Sequence, residues 1–573
     1  MIRRLKTLFL LFVTLTGCVG VSGQQARDDR NTLKLLQPGL EVIKPGVILD
    51  HIKKLASDEF EGRAPGTRGE TLTVDYLVEQ FKRSGLKPGN PDGTFLQKVP
   101  LVGFAPHPDL TFNIGDKPVE FRFPDDYFGR SRRLLEEVTV EDSEIIFVGY
   151  GVIAPEYGWD DYKNVDVTGK TVVILDNDPQ IMDFEDTSKF DNRMFKGNGL
   201  TYYGTRSYKY ETAAKKGAAA VLIIHDPKTS VSSLKNLQNG YLREAFEIKQ
   251  RANSAKIAAF EGWLTSAAAE RLFAAADQEI SVLKRSALTK VFQPLALSVT
   301  ANIDVKSTLR EIESRNVVAK IEGSDAHLKN QYIIYTAHWD HLGRDEKLTG
   351  DQIYNGAIDN AGGIGQMLEI ARGFAMLKKP PRRSILFIAT TAEERGLLGS
   401  KYYVANPLYS LSLTLANINL DSVNPFGRTK DVIESSFGLT TLDEILIKSA
   451  ATQNRILTPD PSPEAGYLFR SDQFEFIRAG VPAIFPGGGL NFIGKPADYG
   501  EKKWTEYDQR YHQVTDEVDP NWDMSGAVED AQLFLQVGYR IAQSEKYPEW
   551  KAGAEFKTRR EEMINRPKKK NLL

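Results

Sequence analysis

Three apolar runs in the middle of the chain each lead into a side chain that can bind a metal or move a proton. Ile333–Ala337 leads to His338, Ile385–Thr391 to the pair Glu393 and Glu394, and Leu415–Leu420 to Asp421. Between the first two stands Asp359, ahead of a glycine-rich turn, and far downstream stands His512. Imidazole and carboxylate are ligands that zinc prefers, and a catalytic zinc keeps one position open. Two metals about 3.5–4 Å apart need a bridging group, which one Asp carboxylate can supply. Two histidines and three carboxylates would complete such a pair: His338, Asp359, Glu394 and Asp421 are four candidates, and His512, which no strand precedes and no local pattern supports, is the fifth. Asp340, two residues after His338, is placed to hydrogen-bond that imidazole, which would set its tautomer and raise its basicity. Glu393 directly precedes Glu394. Neighbours on a loop point different ways, so one can bind metal while the other takes a proton from water and passes it to a leaving amine.

The elements that must position these residues alternate. Strands are expected at 317–321, 331–337, 384–391 and 415–420, with helices at 360–376 and 396–405 between them. A helix at 440–452, a strand at 481–485 and a helix at 524–545 extend the pattern. This rhythm is that of an α/β fold, a mostly parallel mixed sheet flanked by helices. Ligands bind such sheets at the carboxyl ends of the strands. Taken singly, a Glu-Glu pair is usually solvated surface, and Asp-Asn before glycines is usually a turn or a cap. The conjunction decides: three successive strand ends yield ligand types in a chain with only seven histidines.

The chain has 573 residues, enough for two or three domains. Its formal charge of −3 offers no basic domain of the kind nucleic acid requires. The one cysteine, Cys18, follows Arg3, Arg4, Lys6 and the apolar run Leu8–Leu15, which is too short to span a bilayer and suits a signal peptide. Leu15-Thr16-Gly17-Cys18 resembles a bacterial lipobox. Residues 1–17 then form a lipoprotein signal peptide, and 18–40 a flexible tether behind a lipidated Cys18. That implies an exported cell-envelope lipoprotein, at the outer membrane or periplasmic face. The plainer alternative is an ordinary signal peptide with an incidental cysteine. No internal disulfide can form.

Residues 41–136 and 305–548 read as two parts of a catalytic domain, and 549–573 as a charged tail. In the first part, two helical patterns flank the loop Phe60–Gly69, whose wording resembles the opening of secreted zinc aminopeptidases. His51 lies within the first helix pattern and reads as structural. Between the two parts, 137–304 carries short strands and glycine turns, and resembles a β-rich protease-associated domain. His225 ends a strand there with no carboxylate cluster beside it, so it too reads as structural.

The motifs TAHWDH, IDNAGG, AEERGLLGS, NLDS and YHQVTDE closely resemble those of the co-catalytic dizinc exopeptidases. That family includes bacterial leucyl aminopeptidases, glutamate carboxypeptidase II and the non-catalytic transferrin receptor. The resemblance implies the zinc exopeptidase fold and two zinc ions. His338 and Asp421 would hold one, Glu394 and His512 the other, with Asp359 bridging and Glu393 as general base. It also implies a cis peptide at Asp359–Asn360. Tyr511 would either stabilise the oxyanion, as in some members, or pack. His341 and Asp472 would stand beside the ligands. Tyr467, Phe469, Phe485 and Gly487–Gly489 would line the specificity pocket or pack elsewhere. The implied activity is release of N-terminal residues from peptides, with no partner protein required. Alternatives are a carboxypeptidase or dipeptidase, for which Arg470 and Arg478 could hold a free carboxylate, or a catalytically silent surface binding protein. A single-zinc glutaminyl cyclase ranks below these. For the anchor, Cys18→Ser is expected to abolish metabolic lipid labelling; persistent label would refute it.

Overall fold

A computed structural model describes residues 29–115, 117–249 and 257–565. The main sheet has fourteen strands among the described residues, two of them the short segments Lys87–Pro88 and Lys117–Val119. The other twelve begin with β1 (Leu96–Ile114), β2 (Tyr127–Arg130), β3 (Glu137–Phe147), β4 (Thr171–Leu175), β5 (Ala220–Ile224) and β6 (Ala245–Ile248). Then come β7 (Phe260–Leu264), β8 (Leu295–Ile321), β9 (Tyr332–His338), β10 (Ser384–Thr390), β11 (Thr414–Asn419) and β12 (Ala483–Ile484). Along the sheet the order is β12-β11-β9-β10-β8-β3-β4-β5-β7-β2, with β1 paired to β8 and β6 to β1. Strands β12, β11, β9 and β10 run parallel, and β8 is antiparallel to β10.

Every residue of β9, β10 and β11 is buried. Helices cover both faces of these strands, which is why they read as unbroken apolar runs rather than as alternation. Helices Gly363–Ala375 and Ser525–Gln543 pack on one face, and the Tyr335 hydroxyl donates to the Phe534 carbonyl there at 2.7 Å. Parallel register places His338 opposite Thr390 at the same end of the sheet. Side chains in the segments just beyond these strands therefore converge.

The strand expected at 317–321 is the tail of the 27-residue β8, whose earlier part pairs with β3 and β1. One sheet thus runs from the catalytic part into the intervening segment, while the side-chain cores stay separate. Ile333, Phe387 and Ile418 belong to one cluster, and Phe112, Phe147, Leu222 and Ile303 to another. Leu110, Phe112, Phe121 and Tyr127 pack in that second cluster, so a boundary at 136/137 falls inside one packed unit.

Two expectations about the ends are overturned. Residues 29–42, read as mostly tether, are helical, and Leu36 is fully buried against the catalytic core with Leu40 packed beside it. Polar neighbours mask this short helical spacing in the sequence. The supposed solvated tail is anchored as well. Trp550 and Phe556 are buried, and the Arg560 guanidinium donates to the carbonyls of Leu411 at 3.0 Å and Thr414 at 2.8 Å. The lipobox lies outside the described residues. Among those described, no helix is long and apolar enough to cross a membrane.

The intervening segment is fastened to the catalytic part at two places. Arg478 donates twice to the Glu211 carboxylate, at 2.7 and 2.6 Å, above a cluster joining Tyr202 and Tyr208 to Phe474 and Ile477. On the other side Phe246 and Ile248 of β6 pack on Ala392 and Leu398, either side of the Glu393–Glu394 pair. There the Glu247 carboxylate accepts from Arg132 Nε at 2.8 Å and lies 3.6 Å from Lys401 Nζ. Burial pushes the Glu247 carboxyl up, but Arg132 and Lys401 outweigh it and hold it at about 2, against 4.5 for a free glutamate. A lowered carboxyl stabilises the fold above the unfolded value and loses that contribution as pH falls toward the folded one. Unfolding by urea is therefore expected to become easier between about pH 4.5 and 2 in the wild type. Glu247→Gln should be less stable at neutral pH and show a flatter fall over that window; an unchanged slope would refute the assignment.

Candidate metal centre

Asp359 occupies the middle of the site. Its Oδ1 lies 3.1 Å from His338 Nε2, and its Oδ2 lies 3.2 Å from His512 Nε2. His338 Nε2 is also 3.0 Å from Asp421 Oδ1, and His512 Nε2 is 3.0 Å from Glu394 Oε2. Two trios thus meet at one carboxylate, each trio using a different oxygen. Glu393 Oε2 stands 3.9 Å from His338 Nε2, on the side of Asp421.

Local backbone aims these groups. The peptide Asp359–Asn360 is cis. Gly363 opens the helix after the turn, and a Cβ there would overlap the Leu420 carbonyl, so only glycine lets this helix approach the segment bearing Asp421. Four non-glycine residues at or beside site residues take left-handed φ: Arg63 at 53°, Ala392 at 51°, Ser422 at 117° and His512 at 58°. Each such conformation costs about 1–3 kcal/mol and persists only where packing enforces it.

The residues around the ligands differ from expectation in one respect. Asp340 was expected to bond the His338 imidazole through its carboxylate. Instead its backbone carbonyl lies 3.1 Å from Nδ1, while the carboxylate oxygen is 3.9 Å away and accepts the Glu393 N–H at 3.0 Å. Close in sequence to the ring, the chain curls its carbonyl back onto it, leaving the side chain free to reach the next loop. His341 Nδ1 lies 2.7 Å from Glu394 Oε1, and buried Asp472 accepts from the Thr390 hydroxyl. Tyr511 is half-exposed, with its ring stacked on His512 at 3.9 Å between centroids. Gly487 and Gly488 border a small recess with Asp421 and Ser422. Phe469, by contrast, packs on Phe474 in the cluster shared with the intervening segment.

Two residues escaped sequence reasoning. Arg63 is buried and donates to four carbonyl oxygens, those of Trp339, Leu55, Asn355 and Gly356, at 2.6–2.9 Å. Burial lowers its guanidinium to about 10, against the pull of Asp359 and Asp516, so it remains charged near neutrality. Asp516 is fully buried and accepts the N–H groups of Ile358 at 3.2 Å and Asp359 at 3.1 Å. The only sequence signals were an arginine in the Phe60–Gly69 loop and an acid four residues after His512.

The donors suit divalent metal. Buried carboxylates are costly unless cations balance them. His512 Nε2 faces two carboxylates yet has no hydrogen-bonding alignment with either, as expected of nitrogen and oxygens directed at a common ion. Burial opposes protonation of His338, but Asp421, Glu393 and Asp359 outweigh it and raise its pKa well above the usual range. For His512, Glu394 and Asp359 likewise outweigh burial and bring it to about 10. Metal must therefore displace protons from both rings.

Residues 316–536 match peptidase family M28. The chain is 24% identical over 504 residues to an aminopeptidase of Pseudomonas aeruginosa, covering 85% of this chain and 78% of the relative. It is 28% identical over 226 residues to a glutamate carboxypeptidase 2 homolog of Caenorhabditis briggsae, covering 36% of this chain and 26% of that protein. Among solved structures, an aminopeptidase from Aneurinibacillus sp. strain AM-1 aligns with TM-score 0.49 and 21% identity, over 89% of this chain and 97% of that one. Arg63 lies outside the matched segment yet reaches the centre. His512→Ala is expected to lower the metal bound per chain by mass spectrometry. His225→Ala should not, because that ring is bonded to the Ser232 carbonyl far from the cluster.

Proposed function

We propose that this chain is a member of peptidase family M28 and a zinc-dependent aminopeptidase that releases N-terminal residues from peptides at a two-zinc site. The observation that carries the reading is the divided Asp359 carboxylate, with one oxygen toward His338 and Asp421 and the other toward His512 and Glu394. Charge balance supports two ions, since the four carboxylates Asp359, Glu393, Glu394 and Asp421 match two divalent cations. Zinc held there supplies Lewis acidity toward a carbonyl oxygen.

The chain's own groups do the rest. Glu393 accepts a proton from the attacking water as its oxygen bonds to the carbonyl carbon. It returns that proton to the amine nitrogen as the C–N bond breaks. Its N–H is pinned by Asp340, which orients the loop. Without metal, burial together with Asp421 and Glu394 raises the Glu393 carboxyl well above the usual carboxylate range. Cations at the two trios would draw it back to a value from which it can cycle. The Tyr511 phenol, beside His512, is available to donate to the developing oxyanion.

Of the two arginines that could hold a substrate carboxylate, Arg478 is committed to Glu211 and Glu475, which leaves Arg470, placed over the Tyr467 ring, for a carboxypeptidase. The name of the Pseudomonas aeruginosa relative, which aligns with most of this chain, agrees with the aminopeptidase reading. The segment 137–304 is read as a protease-associated domain flanking the site, and the protein as an exported lipoprotein anchored through Cys18. Purified, zinc-replete protein is expected to cleave peptides with a free N-terminus and to spare their N-acetylated forms. Glu393→Ala should retain zinc and lose at least about 100-fold in kcat. Turnover of the acetylated set, or an active Glu393→Ala, would overturn the reading.

A further inference from the structure

The turn bearing Asp359 is gripped from both sides by groups of opposite charge. From one side Arg63 Nη1 and Nη2 donate to the carbonyls of Asn355 at 2.6 Å and Gly356 at 2.9 Å. From the other, the Asp516 carboxylate accepts the N–H groups of Ile358 and Asp359, and the Asp516 carbonyl accepts that of Ala357 at 3.0 Å. Of five consecutive residues, 355–359, four thus present their peptide dipoles to a buried cation or a buried anion, and Ala357 bonds the Asp516 backbone between them. The turn itself is crowded: Gly356 has φ +57°, and a Cβ there would meet His341 and the Asp359 carbonyl.

Each gripping residue also holds a second ligand segment. Arg63 Nε donates to the Trp339 carbonyl at 2.9 Å, one residue past His338, and the Arg63 carbonyl accepts the His341 N–H at 3.4 Å. Asp516 belongs to the segment that carries His512, four residues earlier, and its own N–H closes a turn onto the Gln513 carbonyl at 3.1 Å. We propose that Arg63 and Asp516 are paired positioning residues that register His338, Asp359 and His512 against one another and so set the metal affinity of the centre. Neither touches the ligand atoms of these residues; both act through the backbone that bears them. The segment that supplies Arg63 lies before the intervening domain, so the centre is complete only when chain from both sides of that domain has come together.

This inference rests on the metal centre proposed above, but its main readout does not depend on which peptide is cleaved. Arg63→Lys keeps the charge and loses the planar fork of donors. Asp516→Asn keeps the shape and turns one acceptor into a donor facing an N–H. Arg383→Lys serves as control, because Arg383 is equally buried and bonds the carbonyls of Ala542 and Ser544 away from the site. Zinc affinity of the folded apo-protein is measured by competition with a chromogenic chelator, beside apo melting temperature and kcat and KM on an unblocked peptide substrate. Arg63→Lys and Asp516→Asn should each weaken zinc binding about 10–100-fold and lower kcat more than they raise KM. Arg383→Lys should lower melting temperature alone. Wild-type zinc affinity in both site variants would overturn the proposal, as would equal weakening in the control. If the wild type cleaves no peptide while the affinities shift as stated, the aminopeptidase reading fails and the positioning roles stand.

Discussion

The site depends on one carboxylate being shared. Asp359 must present one oxygen to His338 and the other to His512, and no freely rotating side chain would hold both directions at once. What fixes the point from which it reaches them is the backbone beneath it, a buried turn whose carbonyls meet Arg63 and whose N–H groups meet Asp516. A charge buried without partners would be costly, but here cation and anion each bond to the turn lying between them. The fold appears elsewhere as scaffolding for that turn: a parallel sheet that brings His338 and Thr390 level, and a helix starting on glycine so that it can pack against Leu420.

The intervening segment belongs to the same arrangement rather than hanging beside it. Strand β8 continues one sheet from its core into the catalytic core, and β6 packs against both residues that bracket the Glu393–Glu394 pair. The ion pair from Arg478 to Glu211 closes the opposite side. Fastening at two separated places restrains rotation of one part against the other. It also occupies the Arg478 guanidinium with carboxylates of the protein itself.

The ordered ends follow similar physics. A helix at 29–42 and the anchored residues Trp550, Phe556 and Arg560 cover catalytic-domain surface that the sheet and its main helices leave open. Apolar side chains widely spaced among charges supply that cover, a pattern easily taken for solvated tail.

How much was legible beforehand varies with how local the cause is. The strands β9, β10 and β11 were plain because burial on both faces forces unbroken apolar runs, and the ligand types were plain because each run ends on one. By itself the sequence determined the α/β class, the inventory of candidate ligands and the scarcity of histidine that made the inventory meaningful. It did not determine that Asp340 would grip Glu393 rather than His338, since the choice between carbonyl and carboxylate turns on the path of a loop. Nor could it reveal His512 in a left-handed conformation, or Arg63 and Asp516 closing on one turn from more than four hundred residues apart. Those are decided by packing between distant segments, because hydrogen bonds to backbone leave no residue pattern in the partner. The chemistry was written in side-chain types; its aim was set only when the chain had folded around Asp359.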